Sequence, residues 1–191
     1  MVEYNSLFVE SEFFRFYNTL INDKSLLTRM ENYGYRGVFR LHPTISTQVK
    51  DFQQNNLFVM QTETELYETE FFETAMVVTD YSSIAMDYGY IGRPVVYAQF
   101  DKEDFYRTHS YHESYFDYEN DGFGPVCYDY ESTVDAMIQM IEKGCIMDDI
   151  YAVRRKQFFA YIDDKNCERI CRAVRGICDA RNEYTGGQGN G

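Results

Sequence analysis

The sequence predicts an α/β fold: a doubly wound parallel sheet with further helices at the C-terminal end. Three observations predict it. Short apolar runs recur at Val38-Phe39-Arg40-Leu41, Leu57-Phe58-Val59-Met60, Ala75-Met76-Val77-Val78-Thr79 and Val95-Val96-Tyr97-Ala98. Stretches with helical spacing alternate with them, and the links are short. The last two runs are almost uninterrupted, as in strands buried on both faces of a parallel sheet. With 191 residues the chain has room for one domain with a real core, over 1–184, ahead of a Gly-rich tail at 185–191. Hydrophobic residues make up 45%, and 33 positions are Tyr or Phe (18 plus 15), which excludes a disordered chain.

Taken in order, Glu10 to Tyr33 carries Phe13, Phe14, Tyr17, Leu20, Ile21, Leu26, Leu27 and Met30 at helical spacing, and Gly34 stops the run. The strand after it closes at His42-Pro43, where proline bars a helix. Glu63 to Glu73 is polar with Leu66, Phe71 and Phe72 at helical spacing. The strand ending at Thr79 is followed by Asp80-Tyr81-Ser82-Ser83 and a helix to Ile91, stopped by Gly92. Phe100 to Gly124 reads as one long aromatic and acidic loop, and Val126-Cys127-Tyr128 as a last short strand. Three helices complete the chain: Ser132 to Lys143 with Ser132 as N-cap, Asp148 to Phe159, and Asn166 to Cys178.

Charge narrows the function. The formal net charge is −13, with 31 acidic against 18 basic residues. Asp51 to Gly92 and Thr108 to Glu142 each hold eight carboxylates and no Lys or Arg, whereas Tyr151 to Arg181 has eight basic against four acidic residues. A nucleic-acid partner is therefore excluded, and an anionic ligand must be held by a few local donors. The basic stretch reads as the solvated face of the last two helices. Five cysteines without a CxxC pair read as reduced thiols, with Cys167 and Cys171 in a core and not on a metal. Neither a signal peptide nor an apolar run near the roughly 20 residues of a membrane span is visible, so a cytosolic chain is expected.

Two strand ends carry chemistry. At Thr79 a buried strand passes into a helix that opens on Ser82 and Ser83. Unpaired N–H groups, the positive end of the helix dipole and two hydroxyls make an anion site there, with Asp87 one turn further on as an acceptor for a ligand hydroxyl. Capping is the commoner use of serines in this position. At the other strand end Arg40 and His42 alternate across Leu41, placing a guanidinium and an imidazole on one side where they can neutralise phosphate. A lone histidine more often just packs on a surface. Arg93 precedes a strand and reads as structural. Asp117 to Gly122 only partly matches a calcium loop, since position twelve is Tyr128, and no metal is expected. The aromatics from Tyr106 to Phe123 pack the loop or stack on a base. No nucleophile or general base stands out.

Read together, these segments resemble a known family. Arg40-Leu41-His42-Pro43, Val78-Thr79-Asp80-Tyr81-Ser82-Ser83, Asp87, Gly92-Arg93-Pro94-Val95, Gln99-Phe100-Asp101, Tyr115-Phe116-Asp117-Tyr118-Glu119 and Gly124-Pro125-Val126 follow one another as in the CDP-glycerol glycerophosphotransferases, the teichoic-acid polymerases and primases. The resemblance covers Phe39 to Val126 and implies the Rossmann-like C-terminal half of a GT-B fold, the half that binds the donor. It implies that Arg40, His42, Ser82 and Ser83 meet the pyrophosphate of CDP-glycerol, that Leu41 belongs to the same substrate-binding set and that Asp87 holds a donor hydroxyl. Glycerol phosphate would pass to a growing polymer on a lipid carrier with release of CMP, at the inner face of the cell membrane and without a cofactor. The base would lie on an N-terminal acceptor domain, which makes this chain a donor-side half. Glu113-Ser114 replaces the Arg-Gly pair common in the family, leaving His109 or His112 to take that arginine's phosphate contact. A GT-B glycosyltransferase domain using a nucleotide-sugar and a non-catalytic nucleotide-binding module are the alternative readings.

Overall fold

The computed structural model describes residues 4–61, 71–108 and 115–186. The chain divides into two compact units, Met1–Phe158 and Phe159–Gly191. In the first, two helices open the fold. Helix α1 (Glu12–Leu20) is capped by Ser11, whose hydroxyl accepts from Phe14 N–H at 3.1 Å. Helix α2 (Lys24–Tyr33) is capped by Asp23, whose carboxylate accepts from Leu26 N–H at 2.9 Å and from the Tyr130 hydroxyl at 2.8 Å. The single apolar stretch in the sequence is thus broken where Asp23 competes for backbone N–H groups.

Strand β1 (Gly37–Arg40) pairs in parallel with β2 (Phe58–Gln61), Val38 opposite Val59 and Arg40 opposite Gln61. A 3-10 segment, Pro43–Asp51, connects them. Strands β3 (Val77–Thr79), β4 (Val95–Ala98) and β5 (Val126–Cys127) form a second parallel sheet in the order β3-β4-β5. The expected sheet is therefore parallel throughout but arrives as two pieces, with no ladder joining β1–β2 to β3–β5 among the described residues. One core spans both: Phe39 from β1 and Leu41 just after it, Ala98 from β4, Tyr17, Leu20, Leu26 and Met30 from α1 and α2. Val134, Met137 and Ile141 of helix α6 (Tyr130–Glu142) complete it. Strand β4 is fully enclosed, its four residues at 0% exposure, as its unbroken apolar run demands.

Helix α3 (Ile84–Ile91) returns from β3 to β4 and stops at Gly92, which has φ 79°. That left-handed value favours glycine. Gly124 is required for a different reason: a Cβ there would lie 1.5 Å from the Val95 carbonyl oxygen, so only a bare backbone can pass against β4.

Several expectations need correction. The segment 100–124 is not one loop: it holds helix α4 (Lys102–Thr108) and the short helix α5 (Tyr118–Asp121). Asp117 caps α5, accepting from Glu119 N–H at 2.9 Å and Asn120 N–H at 3.3 Å, so its carboxylate serves a turn. Helix α6 begins at Tyr130 and its cap is Asp129, which accepts from Ser132 N–H at 2.7 Å; Ser132 is inside the helix. In helix α7 (Asp149–Phe158) Arg154 and Arg155 are half-buried and not simply part of a solvated face. Arg155 Nε donates to Gly89 O at 2.8 Å and the guanidinium also reaches Tyr90 O, closing the C-terminus of α3. Arg93 is structural as expected, donating to Phe72 O at 3.3 Å.

The second unit contains helix α8 (Asn166–Gly186), which outruns the expected end at Cys178 because Ala180, Arg181 and Glu183 are all good helix formers. Cys167, Cys171 and Cys178 on it are exposed, not core thiols. Their periodicity marks an apolar face without saying whether anything covers it. Cys127 and Cys145 are buried and free. The helix expected over 63–73 falls mostly outside the described residues, as do His109, His112, Glu113 and Ser114. No described helix is long and apolar enough to cross a membrane.

Candidate functional site

The candidate residues lie at the carboxyl ends of β1, β3 and β4, the ends at which open parallel sheets bind ligands. At the end of β1, Leu41 is buried in the core and separates two polar neighbours, as its alternation predicts. Arg40 is half-buried and its Nε donates to Gln61 Oε1 at 3.0 Å, across the β1–β2 register. His42 is exposed and caps the 3-10 segment through Nδ1, which accepts from Thr44 N–H at 3.3 Å and lies 2.7 Å from Thr44 Oγ1. An accepting Nδ1 fixes the proton of the neutral ring on Nε2, so the other edge of the imidazole is a hydrogen-bond donor.

At the end of β3, Ser83 occupies the N-cap position of α3, but its side chain makes no capping bond. Ser82 Oγ meets Ile84 N–H only at 3.5 Å. The first turn is closed instead by backbone bonds, Ala85 N–H to Ser82 O at 3.2 Å and Met86 N–H to Ser83 O at 2.9 Å. Both hydroxyls are exposed at the positive end of a helix and are not consumed by capping, which is the arrangement an anion needs. Asp87 is exposed on the first turn of the same helix. Among the described residues no hydrogen bond joins His42 to either serine.

Sequence reasoning passes over the groups between these two ends. Asp80 sits under the N-terminus of α3, its carboxylate accepting from Tyr81 N–H at 2.7 Å. Burial pushes its carboxyl above the usual range, against the backbone N–H bonds that hold it down, and the Asp101 charge adds to the rise. The Tyr81 hydroxyl donates to Asp101 Oδ1 at 3.1 Å, and its ring stacks on Phe105 at 3.6 Å. Tyr118 donates to Tyr81 O at 3.4 Å while its ring packs on Tyr97 at 5.2 Å; burial lifts its phenol to about 12. Tyr17 reaches in from α1. Its ring lies 6.1 Å from Phe39 of β1, and burial and the charges of Asp80 and Asp101 push its phenol far up. The signal that points to these residues is the Asp-Tyr before the serines, and Gln99-Phe100-Asp101 at the end of a strand. Among the described residues no group of three or more His, Cys, Asp or Glu side chains is gathered as a metal requires.

This arrangement defines a parallel α/β protein whose strand ends carry hydroxyl, imidazole and guanidinium groups and two carboxylates. Comparison with known proteins identifies the class further. Residues 8–176 match the family described as CDP-Glycerol:Poly(glycerophosphate) glycerophosphotransferase, and the chain belongs to that family. It is 36% identical over 173 residues to the minor teichoic acid biosynthesis protein GgaB of Bacillus subtilis strain 168, covering 90% of this chain and 18% of that protein. It is 24% identical to the teichoic acid poly(ribitol-phosphate) polymerase of Bacillus spizizenii, covering 71% of this chain and 21% of the relative. It is 26% identical to the teichoic acid glycerol-phosphate transferase of Staphylococcus aureus, covering 51% and 25%. A solved structure of the wall teichoic acid polymerase TagF shares the fold, with a TM-score of 0.59 at 16% identity over 85% of this chain and 39% of that one. The chain thus spans about a fifth of the length of these curated relatives.

Proposed function

We propose that this chain binds the CDP-glycerol donor of a glycerophosphotransferase acting in teichoic-acid or related cell-envelope polymer synthesis. The observation that carries the reading is the pair of exposed serine hydroxyls at the N-terminus of α3, of which Ser82 only accepts a long bond from Ile84 N–H, within a chain of this family. Ser82, Ser83 and the His42 Nε2–H supply donors for pyrophosphate oxygens, and Arg40 supplies charge. Asp87, one turn along α3, accepts from a donor hydroxyl. Leu41 contributes its backbone and the packing that separates Arg40 from His42.

In the reaction so framed, an acceptor hydroxyl oxygen attacks the β-phosphorus, the bond from that phosphorus to the bridging oxygen breaks, and CMP leaves. The residues named here hold the donor in line and neutralise the charge gathering on the leaving phosphate. They include no base for the acceptor hydroxyl, which we assign to an acceptor-side domain outside these 191 residues. Transfer to a lipid-carried polymer would place the whole enzyme at the inner face of the membrane.

The test is calorimetric titration with CDP-glycerol, CMP and UDP-glucose of the wild-type chain and of Ser82→Ala and His42→Ala. Both substitutions should weaken the cytidine ligands by about 1–3 kcal/mol while UDP-glucose stays the poorest ligand. Cytidine binding that ignores both substitutions would overturn the site, and preference for UDP-glucose would move the chain to the nucleotide-sugar class.

A further inference from the structure

Gln99 follows β4 directly and is among the most deeply buried side chains, at 1% exposure. Its backbone is used: N–H donates to Cys127 O at 2.8 Å and its carbonyl accepts from Lys102 N–H at 3.3 Å. Its side-chain Nε2 has no hydrogen-bond partner. A buried amide left unpaired is costly, and such groups call for an explanation. Its direction follows from alternation along β4. Ala98 and Phe100 join the core under α1 and α6, Phe100 stacking on Phe16 at 3.8 Å, so Gln99 turns to the other layer with Tyr97. That layer is the one Tyr118 lines, its ring on Tyr97 and its hydroxyl on the Tyr81 carbonyl. Asp101 is held toward the same residues by the Tyr81 hydroxyl on Oδ1, which leaves Oδ2 as an acceptor.

We propose that Gln99 and Asp101 form a subsite for a vicinal diol, the ribose or the glycerol of the donor. The chemistry selects hydroxyls over phosphate. The Asp101 carboxylate beyond the end of β4 repels a phosphate oxygen at its own position, whereas a hydroxyl donates to it. A hydroxyl also accepts, so one diol answers both partners: one oxygen takes the Gln99 N–H and the other donates to Asp101. The two parts of the site divide the ligand, with phosphates on Ser82, Ser83 and His42 and the diol on Gln99 and Asp101. This inference rests on the donor-binding reading above.

The decisive variant is Gln99→Met, which keeps the side-chain length and removes the unpaired amide. Its thermal midpoint should equal or exceed that of the wild type, because a buried orphan is gone, while its affinity for CDP-glycerol should fall about tenfold. Opposite signs in stability and binding separate a ligand-directed amide from a packing residue. CMP and 2′,3′-dideoxy-CMP locate the diol. A loss on CMP that is absent on the dideoxy compound assigns the ribose, and a loss confined to CDP-glycerol assigns the glycerol; either supports the subsite. Equal affinities of variant and wild type, or the same loss on all three ligands with a lowered midpoint, overturn it and leave the donor reading standing. A wild-type chain that binds none of the three overturns the donor reading and this subsite with it. Should Gln99→Met fail to fold, Asp101→Asn reads the same comparison, since an amide oxygen still accepts from Tyr81.

Discussion

Asp80 is the residue at which stability and function pull apart. Its carboxylate lies partly buried at the end of β3, where the Asp101 charge acts on it and backbone N–H groups donate to it. A carboxyl whose folded-state pKa is raised stabilises the fold only while it is protonated. That contribution is lost as the pH climbs past the ordinary carboxylate value of 3.8 and through the raised one. Ionisation of Asp80 on raising the pH therefore costs stability, in part offset by the backbone N–H groups that favour the charged form. Asp80→Asn keeps an oxygen for Tyr81 N–H and removes the charge. Its thermal midpoint should lie above that of the wild type at pH 7, and the gap should close as the pH falls toward 4. A variant less stable at both pH values would show that the hydrogen bonds of the carboxylate outweigh its charge. His42 illustrates the reverse economy, since its Nδ1 serves the turn to Thr44 and so presents Nε2–H outward without any extra residue.

Between elements, the decisive contact is one that no local pattern announces. Strands β3, β4 and β5 are legible because a run such as Val95-Val96-Tyr97-Ala98 can only be buried, and α3 is legible because Gly92 must follow it. Ser82 and Ser83 are legible because they sit where a strand hands over to a helix. Gln99, Tyr17 and Arg155 are not, because their meaning depends on what the fold brings opposite them: an absent acceptor, two distant carboxylates, and a helix end 65 residues away in sequence. The split of the sheet is equally invisible, since apolar runs mark strands without naming their neighbours. Arg155 from α7 reaches the carbonyls of Gly89, which also accepts from Gly92 N–H, and of Tyr90 at the end of α3, and it lies against Gly92. Arg155→Ala should lower unfolding stability by about 1–3 kcal/mol in urea titration. Arg155→Lys should recover only part of this, because an ammonium lacks the planar fork that spans two carbonyls. Indistinguishable midpoints for Ala and wild type would make the contact energetically silent.

For the whole molecule the puzzle is how a chain of net charge −13 holds a ligand that is itself an anion. Its answer is short-ranged: hydroxyls, an imidazole N–H and a helix terminus act within hydrogen-bonding distance, and Arg40 is the one fixed positive charge we place among the phosphate donors. The long-range field of the protein opposes binding, and the two terms respond differently to salt. Screening reaches only about 8 Å at 0.15 M ionic strength but about 30 Å at 0.01 M. Raising salt over that interval removes the distant repulsion and leaves the contact donors largely intact. CMP affinity, followed by calorimetry from 0.01 to 0.15 M sodium chloride, should therefore hold steady or rise by about two- to fivefold. A basic cluster would behave in the opposite sense, losing affinity steadily as its attraction is screened. A steep fall would thus move the phosphate from the α3 terminus to the only strongly basic run of the sequence, Arg154 to Arg181, and would do so independently of any substitution.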